Sequence, residues 1–141
     1  MIIKQLSIFL ENKSGRLTEV LQTLGEEKIN ITALTIADTS EYGILRMVVS
    51  EPDKALQVLK VRQFSVNLTD VLSIATPSEA GSFARALSLL SDEGISIEYM
   101  YAFSMGNKAA IIMRTDDIPA TIEVMQKHKM ELLNASKLYN I

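Results

Sequence analysis

Residues 6–31 read LSIFLENKSGRLTEVLQTLGEEKINI, and residues 72–97 read LSIATPSEAGSFARALSLLSDEGISI. At the fixed offset that places Gly15 on Gly81, the two stretches align without a gap, and both begin with Leu-Ser-Ile. An internal period of this kind indicates that each half of the chain is the same supersecondary unit. The duplication therefore decides the fold before any single motif is considered.

The repeat divides the chain into two domains, residues 1–69 and residues 70–141. A module of roughly 60 to 70 residues buries only about 60% of the surface of its unfolded chain, so it is marginally stable alone. We therefore expect the two modules to pack on each other.

Each half changes between a strand pattern and a helix pattern. Apolar side chains alternate along residues 6–10, which is typical of a strand, and recur at helical spacing along residues 17–24. The predicted order in both halves is strand, helix, strand, strand, helix, strand. This βαββαβ order is the ferredoxin-like α+β fold, an antiparallel sheet with two helices on one face. The opposite face is expected to be bare, and it carries the row Tyr99, Tyr101 and Phe103.

The ends of the first helix in each half carry local signals. Ser14 is placed to accept a hydrogen bond from a free amide of the first helical turn. Gly94 stands where a helix ends in the left-handed conformation, and Lys28 occupies the matching position in the first half. If the backbone is the same there, Lys28 costs about 1 kcal/mol relative to glycine.

The join between the halves has no turn residues between Phe64 and Ile74. Either the chain bends near residues 67–70, or one long strand serves both sheets. The pseudo-symmetry also makes the C-terminus long enough to continue past its own module. We predict that residues 137–141 pair as a strand with the first module.

Composition excludes several kinds of site. The chain has no cysteine, which excludes disulfides and thiolate metal sites and suits a cytoplasmic protein. Its net charge is −3, so it lacks the electrostatic footprint of a nucleic-acid-binding protein. No stretch approaches the roughly 20 apolar residues that cross a bilayer, so we expect no membrane segment. No residue pattern indicates a metal or another cofactor.

The pattern does not favour catalysis. His128 is the single histidine, and no nucleophile or second imidazole has motif spacing to it. We interpret it as a residue at a helix C-terminus. Asp116 and Asp117 are adjacent, so they point in different directions and mark a helix start. We expect the protein not to be an enzyme.

Residues 10–17 (LENKSGRL), a helix, and then residues 28–31 (KINI) resemble the ACT domain. That family uses the βαββαβ fold as an amino-acid-sensing module, for instance in phosphoglycerate dehydrogenase and aspartokinase, and the resemblance covers both halves. It implies that a free amino acid binds at an interface between ACT units. The residues that it implies as ligand contacts are Asn12, Lys13, Ser14, Gly15, Arg16 and Asn30 in the first module and Ser78, Gly81 and Ser96 in the second.

Simpler interpretations of these residues stay open. A tight strand-to-helix turn with positive φ also requires a residue such as Gly15, and Asn30 is of a type that often satisfies backbone groups where a helix ends. The leading hypothesis is a non-catalytic regulatory protein that binds a free amino acid between its two ACT modules. The alternative is a subunit that docks on a separate metabolic enzyme, or on a second copy as a homodimer, without a ligand of its own.

Overall fold

The computed structural model describes residues 2–11, 13–38 and 41–139. The chain forms two compact units: Lys4–Thr69 is the first, and the residues from Asp70 onward together with Ile3 form the second. The elements in chain order are β1 (Ile3–Glu11), α1 (Arg16–Glu26), β2 (Ile31–Asp38), β3 (Tyr42–Val49), α2 (Pro52–Val61), β4 (Ser65–Pro77), α3 (Ser82–Asp92), β5 (Ile97–Met105), β6 (Lys108–Thr115), α4 (Ile118–Lys127), β7 (Glu131–Leu133) and α5 (Ala135–Tyr139).

The same sheet topology occurs in both units. The strand order is β2-β3-β1-β4 in the first unit and β5-β6-β4-β7 in the second. The pairs β1 with β3, β2 with β3, β4 with β6, β5 with β6 and β4 with β7 are all antiparallel. The predicted α+β fold with two ferredoxin-like βαββαβ modules is therefore confirmed.

The duplication extends to the pairing register. Leu6 lies opposite Met47 in the first unit, and Leu72 lies opposite Met113 at the equivalent place in the second. Both β2 and β5 begin with a register shift against their neighbouring strand. The two halves therefore agree residue by residue in backbone pairing as well as in sequence pattern.

Each unit has its own apolar core between its sheet and its two helices. The core of the first unit includes Leu6, Ile8, Val20, Leu24, Leu45, Met47 and Leu59. The core of the second includes Leu72, Ile74, Leu90, Ile111, Met113 and Met125. The methionines in these sets are fully buried, which agrees with their interpretation as core residues.

The strand β4 crosses the sequence boundary between the two modules. It runs from Ser65 to Pro77 without interruption, so the alternative of one long strand is confirmed and a bend near residues 67–70 is not needed.

The first helix of each unit begins at a glycine in the left-handed conformation. Gly15 has φ 87° and Gly81 has φ 86°, and neither helix receives a side-chain cap. The prediction that Ser14 caps α1 is therefore wrong. The reason is that the tight turn places the glycine itself at the N-cap, and the Arg16 N–H is bonded to the Lys13 carbonyl oxygen at 3.3 Å.

The C-terminal ends of these helices confirm the prediction for Lys28. Its φ is 58° and that of Gly94 is 78°, so both residues are left-handed. In both units the next residue closes the turn, because Ile29 donates its N–H to the Leu24 carbonyl and Ile95 donates to the Leu90 carbonyl. This is the Schellman arrangement, which favours glycine over a residue with a Cβ.

We expect Lys28→Gly to raise the free energy of unfolding by about 1 kcal/mol, because glycine adopts this φ without a steric penalty. The matched control is Gly94→Lys, which should lower the stability by a similar amount. Urea unfolding followed by circular dichroism measures both. Equal stability of the wild type and the two variants would contradict the assigned backbone strain.

The sheet face opposite the helices is not bare in the second unit, which corrects the expectation. Ser73 and Ile112 lie opposite each other on that face, and both are fully buried by the chain's own atoms. The row Tyr99, Tyr101 and Phe103 lies on the edge strand β5 and is half-buried.

The chain ends in a short helix where the sequence predicted a strand. Residues 137–139 lie in α5, so their predicted strand pairing is wrong, and residues 140–141 lie outside the described residues. The Asn134 side chain accepts the Lys137 N–H at 2.8 Å, which caps the turn, and Leu138 is fully buried. A local capping signal and one buried leucine thus outweigh continuation of the strand.

Candidate functional site

A cavity of about 530 Å³ opens beside the start of α3 in the second unit. It is bounded by the loop between β4 and α3, by the first turn of α3, and by the adjacent ends of β5 and β6. The residues that line it are Pro77, Ser78, Glu79, Gly81, Phe83, Ala84, Ala102, Phe103, Ser104 and Ala109.

The hollow forms where the strands carry small side chains. Ser104 lies opposite Ala109, and Ala102 lies two residues earlier on the same face of β5. At the position of Ala102 the first unit has Ile36, which pairs with Leu45 in the same way as Ala102 pairs with Ile111. A larger side chain thus stands in the first unit where the second leaves space.

The first turn of α3 presents two unused backbone donors to this cavity. The Ser82 N–H is bonded to the Glu79 carbonyl at 3.1 Å and the Arg85 N–H to the Gly81 carbonyl at 3.0 Å. Between them, the N–H groups of Phe83 and Ala84 have no bonding partner among the described residues. Unpaired amides at a helix N-terminus, together with the helix dipole, favour an anionic group such as a carboxylate.

An acidic side chain lines the same cavity. Glu79 is exposed, and its Oε2 lies 3.9 Å from Nη2 of Arg85, a weak contact. The same Nη2 donates a hydrogen bond to the Ser82 hydroxyl at 3.1 Å. The Glu79 carboxylate therefore keeps capacity to accept hydrogen bonds from a cation in the cavity.

Among the sequence-predicted residues of the second module, Ser78 and Gly81 line the cavity and Ser96 does not. The Ser96 N–H donates to Oδ1 of Asp116 at 3.1 Å, and its carbonyl accepts the Asp116 N–H. Its backbone thus ties the start of β5 to the end of β6.

Asn30 makes the same backbone link in the first module. Its N–H donates to the Ser50 hydroxyl at 3.0 Å and its carbonyl accepts the Ser50 N–H at 2.9 Å. The simpler interpretation, in which this position satisfies local backbone groups, therefore has direct support. Contact of the Asn30 side chain with a ligand stays a prediction.

The first-module loop has its own charge pairs. The Lys13 ammonium lies 2.9 Å from the Glu11 carboxylate, and this hydrogen bond lowers the pKa of Glu11. Arg16 pairs with Glu19 at 3.0 Å, and its guanidinium lies 4.6 Å from the centre of the Phe64 ring. The charged groups of Lys13 and Arg16, which are predicted ligand contacts, thus interact with other side chains of this chain.

The remaining predicted residues of this loop are less informative. Ser14 and Gly15 are exposed, and Asn12 lies outside the described residues.

His128 caps the C-terminus of α4, as interpreted, with its Nε2 3.5 Å from Oε1 of Glu93. Within the described ranges, no group of three histidine, aspartate or glutamate side chains is arranged to hold a metal ion.

Sequence reasoning missed most of the residues around the cavity. They are Pro77, Glu79, Phe83, Ala84, Ala102, Ser104 and Ala109. The sequence pattern indicates Phe103 only as a member of an aromatic row. The repeat contains one signal that could have indicated the cavity. Alignment of the two halves places Ala102 on Ile36, so the second half has the smaller side chain at this position.

The helices within the described ranges are short. The longest, α1 and α3, have 11 residues each, and none in those ranges meets the length and hydropathy needed for a membrane span.

The chain matches one protein family over its length and resembles several solved structures. The ACT domain pair family matches residues 1–141. The crystal structure of the Bacteroides thetaiotaomicron protein BT0572 is 51% identical with a TM-score of 0.96, and the match covers 100% of this chain and 98% of that one. The regulatory subunit of aspartate kinase from Thermus thermophilus has a TM-score of 0.64 at 15% identity, over 89% of this chain and 93% of that one, which shows the fold alone.

Curated relatives match over a shorter region. The acetolactate synthase small subunit of Haemophilus influenzae is 30% identical over 84 residues, which are 60% of this chain and 52% of that protein. The acetolactate synthase isozyme 3 small subunit of Escherichia coli is 27% identical over 85 residues, with the same two shares. The chain therefore spans about half the length of these relatives.

Proposed function

Because the chain belongs to the ACT domain pair family, we propose that it is a non-catalytic regulatory protein that binds a free amino acid in the cavity beside α3. The observation that carries the proposal is the pair of unused N–H groups at Phe83 and Ala84, on a helix start that lines a cavity of about 530 Å³. The first-module residues Asn12 and Asn30 stay predicted contacts of an amino-acid ligand.

The cavity offers complementary groups for a zwitterion. The α-carboxylate would accept hydrogen bonds from the N–H groups of Phe83 and Ala84, where the helix dipole also favours negative charge. The α-ammonium would donate to the Glu79 carboxylate and to the hydroxyls of Ser78 and Ser104, which line the same space. The side chain of the ligand would then lie against the alanines and Phe83.

Regulation requires that the ligand bind two states of the protein with different affinities. The named relatives are small or regulatory subunits of acetolactate synthase and aspartate kinase. We propose by analogy that this chain passes its ligand state to a separate metabolic enzyme in the cytoplasm.

The amino-acid proposal is tested by measuring the thermal stability of the purified chain with each of the twenty amino acids. A ligand at 100 times its dissociation constant adds about 2.7 kcal/mol to the stability of the bound state. At least one amino acid is expected to raise the melting temperature. If none of the twenty raises it at millimolar concentration, amino-acid binding is refuted.

Glu79→Gln tests whether the ligand occupies this cavity. Loss of the charged acceptor should weaken binding by roughly 1–2 kcal/mol, which is about 5- to 30-fold in Kd, since a hydrogen bond to a charged group contributes about that much. Glu98→Gln is the matched control, because Glu98 is also exposed and ion-paired but lies outside the cavity. Isothermal titration should show weakening in the first variant only, and equal weakening in both would place the site elsewhere.

A docking subunit without a ligand is the second candidate, and one observation favours it. In the first unit the rings of Phe9 and Tyr42 stack with their centres 4.8 Å apart, although the two residues are 48% and 43% exposed. Large apolar groups exposed in this way are typical of an interaction surface. This candidate would be favoured if all twenty amino acids fail and Phe9→Ser abolishes a defined complex with an enzyme.

A further inference from the structure

We infer that the cavity beside α3 selects amino acids with a large apolar side chain, aromatic or branched aliphatic, over small and charged ones. This inference rests on the proposed binding of an amino acid there, and it concerns which member of that class is preferred. The composition, charge and size of the cavity wall each support it.

Most of the residues that line the cavity are apolar. Ser78, Glu79 and Ser104 are the lining residues with polar side chains, and they are the proposed partners of the α-ammonium. The other lining residues, apart from Gly81, are Pro77, Phe83, Ala84, Ala102, Phe103 and Ala109, all of them apolar. A ligand side chain that extends beyond the three polar groups therefore lies mainly against apolar residues, which offer few hydrogen-bond partners to a polar group.

The charges around the cavity disfavour ionised ligand side chains. Among the described residues, no lysine or arginine lines it, and the exposed Arg85 beside it donates a hydrogen bond to the Ser82 hydroxyl. An acidic side chain would be repelled by the Glu79 carboxylate. A basic side chain would compete with the α-ammonium for the single carboxylate in this wall.

The size of the cavity favours a large group. A space of about 530 Å³ lies within the range of sites for drug-sized ligands, so alanine or serine would leave most of it to water. Filling it with a leucine- or phenylalanine-sized side chain should tighten binding roughly 10- to 100-fold relative to alanine. The Phe83 ring in the wall adds the aromatic contact that rings prefer.

The first unit shows which position creates this space. Ala102 and Ile36 are equivalent by register, and Ile36 carries a side chain three carbons larger at the same place on the sheet. The Ala102→Ile variant therefore copies a residue that the fold already accepts. Ala102 is exposed on an edge strand, so the exchange does not overpack a core.

The experiment is isothermal titration of the full-length chain with phenylalanine, leucine, alanine, aspartate and lysine. We expect phenylalanine and leucine to bind at least 10-fold more tightly than the other three. If alanine, aspartate or lysine binds as tightly as phenylalanine, the selectivity inference fails while the proposed function stands. If none of the five binds and the other fifteen also fail, the proposed function itself fails.

The Ala102→Ile variant tests the selectivity inference independently. Ala102→Ile should weaken phenylalanine binding more than 10-fold and change alanine binding much less, so that the ratio of the two affinities falls. Ala37→Ile is the matched control, because Ala37 is an exposed alanine on the edge strand β2, and that variant should keep the wild-type ratio. An unchanged ratio in a folded Ala102→Ile protein would overturn the inference, and the titration of the wild type decides the question if the variant does not fold.

Discussion

Leu138→Ala is expected to lower the free energy of unfolding by about 2–5 kcal/mol, the usual cost of truncating a fully buried leucine. Leu138 has no exposed surface, although it lies three residues from the C-terminal end of the chain and in a helix of five residues. A helix of this length is not stable by itself, so packing of its buried side chain must stabilise it. The measurement is urea unfolding monitored by circular dichroism.

The control for this prediction is the neighbouring substitution Lys137→Ala. Lys137 is exposed and lies in the same helix, so its removal should change the stability by less than about 0.5 kcal/mol. A loss below about 1 kcal/mol for Leu138→Ala would show that α5 contributes little to the folded state. Burial of Leu138 would then not explain why a helix forms in place of the predicted strand.

Gly81→Val is expected to abolish amino-acid binding at the cavity and to lower the stability by roughly 1–3 kcal/mol, because a φ of 86° is strained for any residue with a Cβ and most strained for a β-branched one. A Cβ at this position would also lie 3.1 Å from Nη1 of Arg85, so that side chain must move. The distorted turn would shift the N–H groups of Phe83 and Ala84 that are proposed to hold the carboxylate.

Gly15→Val is the matched control because it imposes the same strain on the equivalent turn. Gly15 has φ 87°, and an added Cβ there meets no atom within 4 Å. We expect a similar loss of stability with binding at the second-unit cavity retained. Titration and urea unfolding of both variants separate the two effects. Complete retention of binding by Gly81→Val would exclude this turn from the site.

The duplicated pattern was sufficient to predict the two βαββαβ modules. Strand alternation and helical spacing are local properties, and they occur twice at one offset. A proline also stands in the first turn of the second helix of each half, at Pro52 and at Pro119. The left-handed residue at Lys28 was predictable for the same reason, since its glycine counterpart Gly94 reveals what the backbone requires. Where both copies support the same local structure, the prediction is correct.

The errors occurred where the two halves differ or where a local signal was overestimated. The C-terminal strand was predicted from symmetry alone, but Asn134 caps a turn, and Leu138 is buried as part of a helix. Ser14 has the composition of a cap, yet the adjacent glycine occupies the N-cap position. Symmetry between the halves and the type of a single residue therefore do not determine the backbone conformation at a turn or at the end of the second module.

By itself the sequence determined the fold class and the repeat, and its resemblance to the ACT domain indicated two residues of the candidate site, Ser78 and Gly81, which stand in one contiguous loop. Only the tertiary structure showed that Ala102, Ser104 and Ala109 lie beside that loop and leave a hollow. The physical reason is that the cavity is a property of empty volume between segments that are distant from one another in the chain. Strand pairing and packing create that volume, and no periodicity along the sequence records it.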